Sequence, residues 1–387
     1  MSSSRRRFLA AGLALPAAAS ATRSEEQTQS QTPSRGLSTP AFRYKTLGKT
    51  GLKVTTLGFG CMVTSDGSVV ERAADLGITY FDTARGYMGG NNERMVGTAL
   101  KRKRNDVTLS TKSHAGSKAD ALRDLDTSLR ELGTDHVDIW YLHAKTRPDE
   151  VTDELIEAQQ EAKKAGKIRF AGVSSHSGQK ELLPWLAKNP NIDVVLTAYN
   201  FTQEAFMNDV IAEVEKAGKG VVAMKVMAGG LRTARPGTPN YDKFKRDGAL
   251  PAALQWVLQN PNVHTTIPSM TDMDQLEENL KAMSQPFGDA QKKLLAVHLR
   301  QISPSYCRMC GECDGQCRKG LPVADVLRFL TYAEGYGQFG LARERYQELN
   351  PAHANSKCAD CPGCTVQCPY GVKVASRLIR AQELFAC

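Results

Sequence analysis

Between residues 42 and 285 the chain alternates short β-branched runs with longer amphipathic ones. The runs that read as strands are Thr56–Gly60, Thr79–Asp82, Val107–Thr111, Val137–Leu142, Arg169–Val173, Val194–Thr197, Gly220–Lys225 and Thr265–Ile267. Between them apolar residues recur every three or four positions, as in Ala119–Leu132, Val151–Lys164 and Phe206–Ala217. That is the period of a helix with one buried face. Ser117, with Asp120 three residues on, and Gly133 read as the start and stop of the first of these. Eight strands, each followed by a helix, over about 240 residues predict a (β/α)8 TIM barrel. A doubly wound sheet is the runner-up, weakened because no G-x-G-x-x-G follows the first strand. Ahead of that strand, Tyr44–Val54 reads as a β-hairpin with a glycine turn, suited to plugging the barrel bottom.

The ends of the chain follow other patterns. Arg5, Arg6 and Arg7 enter an apolar stretch, Phe8 to Ala19, that ends in the small-x-small run Ala19-Ser20-Ala21. A dozen residues are too few to span a bilayer comfortably, so residues 1–21 read as a secretory signal peptide. Ser4-Arg5-Arg6-Arg7-Phe8-Leu9 resembles the twin-arginine signal of bacteria. That resemblance implies the twin-arginine export machinery as a partner, folded export and a periplasmic location. Residues 22–41, rich in Ser, Thr, Gln and Pro, read as a flexible linker. No other stretch is long and apolar enough to span a membrane, so no span is expected in the mature chain. Residues 286–387 carry helical patterns at Val323–Tyr336 and Leu341–Leu349 between cysteine-rich loops.

Composition adds two exclusions and one lead. With 41% hydrophobic and 24% charged residues, the chain is an ordinary globular one rather than a disordered one. Its net charge of +9 includes the three signal arginines and is otherwise scattered, which argues against nucleic acid as a partner. The lead is ten cysteines, eight of them between Cys307 and Cys368.

Those eight form two runs, Cys307-x2-Cys310-x2-Cys313-x3-Cys317 and Cys358-x2-Cys361-x2-Cys364-x3-Cys368-Pro369. Both match the bacterial ferredoxin run, in which the fourth cysteine of one run commonly ligates the other cluster. The spacing predicts two [4Fe–4S] clusters, one held by Cys307, Cys310, Cys313 and Cys368, the other by Cys358, Cys361, Cys364 and Cys317. In the alternative each run keeps its own cluster. Zinc and disulfides are the competing readings of the same thiols. The helical insert between the runs resembles the α-helical type of dicluster ferredoxin, so residues 286–387 are expected to form a small helical ferredoxin-like domain. Cys61 reads as a packing residue and Cys387 as incidental.

In a TIM barrel, chemistry belongs at the C-terminal ends of strands. Asp82 ends the second predicted strand, with Tyr87 in the loop after it. Lys112 ends the third and His143 the fourth. Phe81-Asp82-Thr83-Ala84-Arg85-Gly86-Tyr87, Lys112 and His143 resemble the Asp-Tyr-Lys-His tetrad of aldo-keto reductases. The resemblance runs from Phe42 to Met283 and includes Gly172-Val173-Ser174-Ser175, Tyr199-Asn200, Met227-Ala228-Gly229-Gly230 and Glu278-Asn279.

It implies hydride transfer between NAD or NADP and a small-molecule carbonyl or alcohol substrate, with sugar-like compounds among the candidates. Tyr87 would act as the acid, Lys112 would lower its pKa, Asp82 would orient Lys112, and His143 would bond the carbonyl oxygen. It also implies cofactor contacts from Ser174, Ser175, Met224, Gly229, Gly230, Glu278 and Asn279. Where NADP-dependent members carry basic residues after the eighth strand, this chain has Ser269 and Gln275, which weakens the case for NADP. The expectation is an exported iron–sulfur oxidoreductase that exchanges electrons with a redox partner protein. The alternative is an electron-transfer or redox-sensing protein whose barrel is a non-catalytic scaffold.

Overall fold

The computed structural model describes residues 42–203, 205–230 and 248–385. The signal and linker expected over residues 1–41, and Cys387, lie outside the described residues.

The chain opens with an antiparallel hairpin, β1 (Tyr44–Thr46) and β2 (Lys53–Thr55). Eight parallel strands follow: β3 (Phe59–Gly60), β4 (Tyr80–Asp82), β5 (Thr108–Ser113), β6 (Val137–Leu142), β7 (Ile168–Ser175), β8 (Val194–Ala198), β9 (Gly220–Met224) and β10 (Thr265–Thr266). They neighbour one another in chain order. Parallel bridges from Leu57 to Thr266 and from Gly60 to Ser269 join the first to the last and close the barrel. The helices of its outer layer are α1 (Gly67–Asp75), α2 (Asn91–Leu100), α3 (Lys118–Leu132), α4 (Asp153–Lys164), α5 (Gln179–Lys188), α6 (Phe206–Lys216), α7 (Ala249–Leu258) and α8 (Met273–Ser284).

The predicted strands are all present, with ends displaced by up to three residues. Lys225 falls outside β9 because its φ of 58° is left-handed and ends the ladder. Thr56 falls outside β3 because its N–H donates to Arg43 O, across the hairpin. Ser117 caps α3 by accepting from Asp120 N–H, and Gly133 ends the helix at φ 65°. The hairpin plugs the barrel: Leu47, Leu52 and Val54 are buried with Tyr80, Ile139, Tyr141, Leu196 and Val222. Lys49 N–H donates to Gly218 O, just before β9.

Beyond the barrel, α9 (Asp289–Ile302) packs Leu295 against Ala252 and Ala253 of α7. The helices α10 (Val323–Glu334), α11 (Phe339–Gln347), α12 (Pro351–Ala354) and α13 (Val374–Phe385) follow. They share a second core that includes Leu327, Leu330, Tyr346, Leu378 and Phe385. Met62, from the loop after β3, packs onto that core. No described helix is long and apolar enough to cross a membrane.

This C-terminal region sits on the mouth of the barrel. Arg345 of α11 donates from Nη2 to Gly86 O at 3.0 Å. A methyl on Gly335 would stand 2.3 Å from Gly229 O, and one on Gly229 would stand 2.8 Å from Thr331 and Tyr306. Gly229 has φ +84°, so both space and backbone conformation call for glycine there.

Candidate active site

Four side chains from successive strand ends meet at the barrel mouth. The Lys112 ammonium lies against the Asp82 carboxylate and donates to Thr83 O at 2.7 Å and to the Tyr87 hydroxyl at 3.3 Å. The second Asp82 oxygen accepts from Ser110 Oγ at 2.7 Å. All of these groups are buried. Ser110 also accepts from Tyr80, whose hydroxyl is 2.8 Å from that of Tyr141, so a polar chain runs into the barrel interior. The His143 ring stands edge-on to Tyr87 with centroids 5.9 Å apart, and stacks on His114 at 3.9 Å.

Burial pushes Asp82 up and Lys112 down, and each is pulled back by the other's charge. The Tyr87 phenol is raised well above its ordinary value by burial and by the Asp82 charge. Burial is the larger influence on this phenol, and the Lys112 ammonium, expected to lower its pKa, lies at hydrogen-bond distance from its oxygen. Burial and the neighbouring positive charges push His143 well below its ordinary value, so its ring is neutral. The arrangement is a protonated phenol, oriented by a fixed ammonium, beside a neutral imidazole.

This geometry has close counterparts. The family model of the aldo/keto reductase family matches residues 64–250. The solved apo form of the aldo-keto reductase AKR11C1 from Bacillus halodurans is 31% identical, with a TM-score of 0.53, over 66% of this chain and 96% of that one. The chain belongs to the aldo/keto reductase family. The uncharacterized oxidoreductase YqkF of Bacillus subtilis (strain 168) is 28% identical over 67% of this chain and 97% of its own. L-galactose dehydrogenase of Arabidopsis thaliana is 29% identical over 62% of this chain and 88% of its own. This aldo/keto reductase is an oxidoreductase, as its relatives are, and the family match ends before the cysteine runs begin.

A cavity of about 230 Å3 opens beside the tetrad. Asp82, Tyr87, Met224, Ser269, Glu278 and Asn279 line it. Ser174 and Ser175 do not: Ser174 Oγ accepts from Ala144 N–H at 2.9 Å, and Ser175 Oγ donates to Ser177 O at 2.7 Å. The first holds the loop after β6 and the second the loop after β7. Gly229 does not line it either; it packs under Thr331 and Tyr306. Gly230 follows Gly229 in the same short turn, Ala228–Gly230. Gln275 is tied to Thr271 and Asp272, and the same end of the cavity carries Asp272, Asp274 and Glu278. Cys61 is fully buried in the barrel core, as a packing residue should be.

Sequence reasoning missed Lys225, Arg328 and Tyr332. Lys225 lines the cavity, and its Nζ lies 4.7 Å from the ring centroid of Tyr332 and 5.2 Å from that of Tyr336. The one signal for Lys225 was a cation at a strand end. Arg328 and Tyr332 gave none, since α10 reaches the mouth only through packing.

The described cysteines are all free thiols. Cys307 feels the charges of Cys313, Cys310 and Cys368, and Cys313 those of Cys310 and Cys368. Cys358 feels Cys317, Cys361 and Cys364. The last cysteine of each run thus lies with the first three of the other. Burial pushes the Cys307 thiol up to about 12 and the Cys313 thiol up to about 11. Met309 N–H donates to Cys307 Sγ at 3.4 Å from a left-handed residue, φ 59°. Among the described residues no three His, Cys, Asp or Glu side chains converge closely enough to share a single metal ion.

Proposed function

We propose that this aldo/keto reductase transfers hydride between a nicotinamide dinucleotide and a carbonyl or alcohol, and that its C-terminal region holds two [4Fe–4S] clusters. The observation that carries the first half is the Lys112 ammonium bonded at once to Asp82 and to the Tyr87 hydroxyl.

A bound nicotinamide supplies or accepts the hydride. Tyr87 gives its proton to the carbonyl oxygen in reduction and recovers it in oxidation. A raised phenol still serves, because an alkoxide is a far stronger base than a phenolate. Lys112 points its N–H at the Tyr87 oxygen, so the Tyr87 proton is directed away from Lys112 and toward the substrate. Neutral His143 offers a hydrogen bond that fixes the carbonyl oxygen. Met224, Glu278 and Asn279 would hold the dinucleotide. The acidic groups around Ser269 and Gln275 favour NAD over NADP, since among the described residues a 2′-phosphate finds no cation at that end of the cavity.

What supports clusters is the spacing of the two cysteine runs, which is that of the bacterial ferredoxin run. Cys307, Cys310, Cys313 and Cys368 would hold one cluster, and Cys358, Cys361, Cys364 and Cys317 the other. Clusters held there pass single electrons. Cys364 is exposed, so a redox partner protein would meet the second group. Folded export through the twin-arginine machinery to the periplasm fits clusters that must be assembled beforehand.

Anaerobically purified protein is expected to contain about eight irons, to bind NAD, and to turn over members of a carbonyl panel. Tyr87→Phe should cut turnover by about 10²–10⁴ while leaving dinucleotide binding unchanged. Full activity in that variant would make the barrel a scaffold. Replacing Arg5 and Arg6 with Lys should leave the protein in the cytoplasmic fraction; unchanged export overturns the twin-arginine reading.

A further inference from the structure

The barrel mouth holds two lysines in opposite circumstances. Lys112 is neutralised by Asp82. Lys225 lines the same cavity, yet among the described residues its ammonium meets no carboxylate. Its contacts are Met62 Sδ at 3.6 Å, the Tyr332 phenol, and the faces of Tyr332 and Tyr336. Behind it lies Arg328, whose Nη2 donates to Asp325 at 2.7 Å and whose Nε is buried with no partner. The backbone aims Lys225 deliberately: its φ is +58°, and Asn200 Nδ2 donates to its carbonyl at 3.1 Å. A residue other than glycine adopts that conformation only against strain, which persists where the surroundings enforce it. Lys225 and Tyr87 line one cavity, so both lie within reach of one small molecule. Burial alone would raise the Tyr332 phenol, but Lys225 and Arg328 outweigh it and hold it below its ordinary value, a sign of uncompensated positive charge.

Lys225 is half-buried on the cavity wall, where a cation without a carboxylate partner favours an anionic ligand. Asp82 is occupied by Lys112 and Ser110, Asp325 by Arg328, and the cavity's other carboxylates, Asp272, Asp274 and Glu278, lie with Ser269 and Gln275. We infer that the substrate of this site carries a carboxylate, seated on Lys225 with Arg328 behind it, while its carbonyl lies against Tyr87. Calling the ligand a substrate rests on the oxidoreductase reading above; the anion site itself does not. The chemical class is an oxo acid or a sugar acid rather than a neutral aldehyde. The pyrophosphate of a dinucleotide offers the same kind of charge from another source, and the test separates the two.

The test is binding, read by calorimetry on the full iron-loaded chain with NAD present, so it needs no turnover. The probes are two matched pairs: glucuronate against glucose, and pyruvate against hydroxyacetone. At least one acid should bind about ten- to a hundredfold tighter than its neutral partner. Lys225→Met should abolish that preference and Lys225→Arg should keep it. Equal binding within both pairs, or no binding of either acid, overturns the inference. So does a Lys225→Met variant that loses affinity for NAD but not for the acid, which assigns the cation to the pyrophosphate. A variant that keeps its acid preference but shifts the reduction potential of its clusters also overturns it, and assigns the cation to the Cys307 group. If the acid preference holds while Tyr87→Phe proves silent, the anion site stands and the catalytic reading falls.

Discussion

The barrel and the C-terminal region solve the problem of a core differently. The barrel closes on itself and buries long aliphatic layers inside and outside its strands, with its buried charges held in ion pairs. The C-terminal region has a much smaller apolar core, and Cys307, Cys313, Cys317, Cys358 and Cys368 are packed against it as part of the filling. Its loops at residues 303–322 and 355–373 have little regular structure of their own. The lesson is that the barrel can stand on packing alone, whereas the cysteine region is expected to fold with whatever its thiols bind.

The largest effect should come from the buried ion pair at the barrel mouth. Asp82→Asn leaves Lys112 charged, buried and unpaired, and should cost about 3–5 kcal/mol of stability by urea unfolding. A loss under about 1 kcal/mol would mean that the pair is not ionised. Phe385→Ala tests the other region. It removes a fully buried ring and should cost about 3 kcal/mol in protein stripped of iron, and clearly less once iron is bound. Equal losses in both forms would break the contrast between the regions.

The pH dependence sharpens it further. His114 is pushed down to about 3 by burial and by Arg345 and Arg328, against about 6.5 when unfolded. The unfolded chain therefore binds the proton more readily between these values. The stability from keeping His114 neutral is fully present above pH 6.5 and is lost as pH falls toward 3. His143 and His176 are depressed in the same direction. The folding constant should drop by about tenfold per histidine per pH unit in that window. His114→Phe should flatten the slope, measured by urea titration at several pH values. The smallest effect is local: Ser117→Ala removes the α3 cap and should cost about 1 kcal/mol.

The tetrad was legible because each member sits at a fixed offset from a strand whose β-branched run is visible in the chain. Asp82, Lys112 and His143 needed only the count of strands and the rule about their ends. The hairpin plug and the α3 caps were legible for the same local reason. The partners that Ser174 and Ser175 take within the chain were not legible, because a hydroxyl's partner depends on the loop that surrounds it. Lys225 kept its meaning hidden, since a strand-end lysine is ordinary until α10 brings Tyr332 and Arg328 onto it from more than a hundred residues away. The burial of Tyr87 was hidden for a related reason: spacing shows which charge is near, and not how much water has been removed.

The contact between Gly229 and Gly335 has a consequence for how such a protein can change. Two backbones meet there with no room for a single methyl group. The barrel and its cysteine-bearing lid therefore cannot be exchanged as independent modules. A hybrid that joins this barrel to another chain's lid would close only if the incoming segment brought its own bare backbone to Gly229, so inheritance and engineering alike must move the two together.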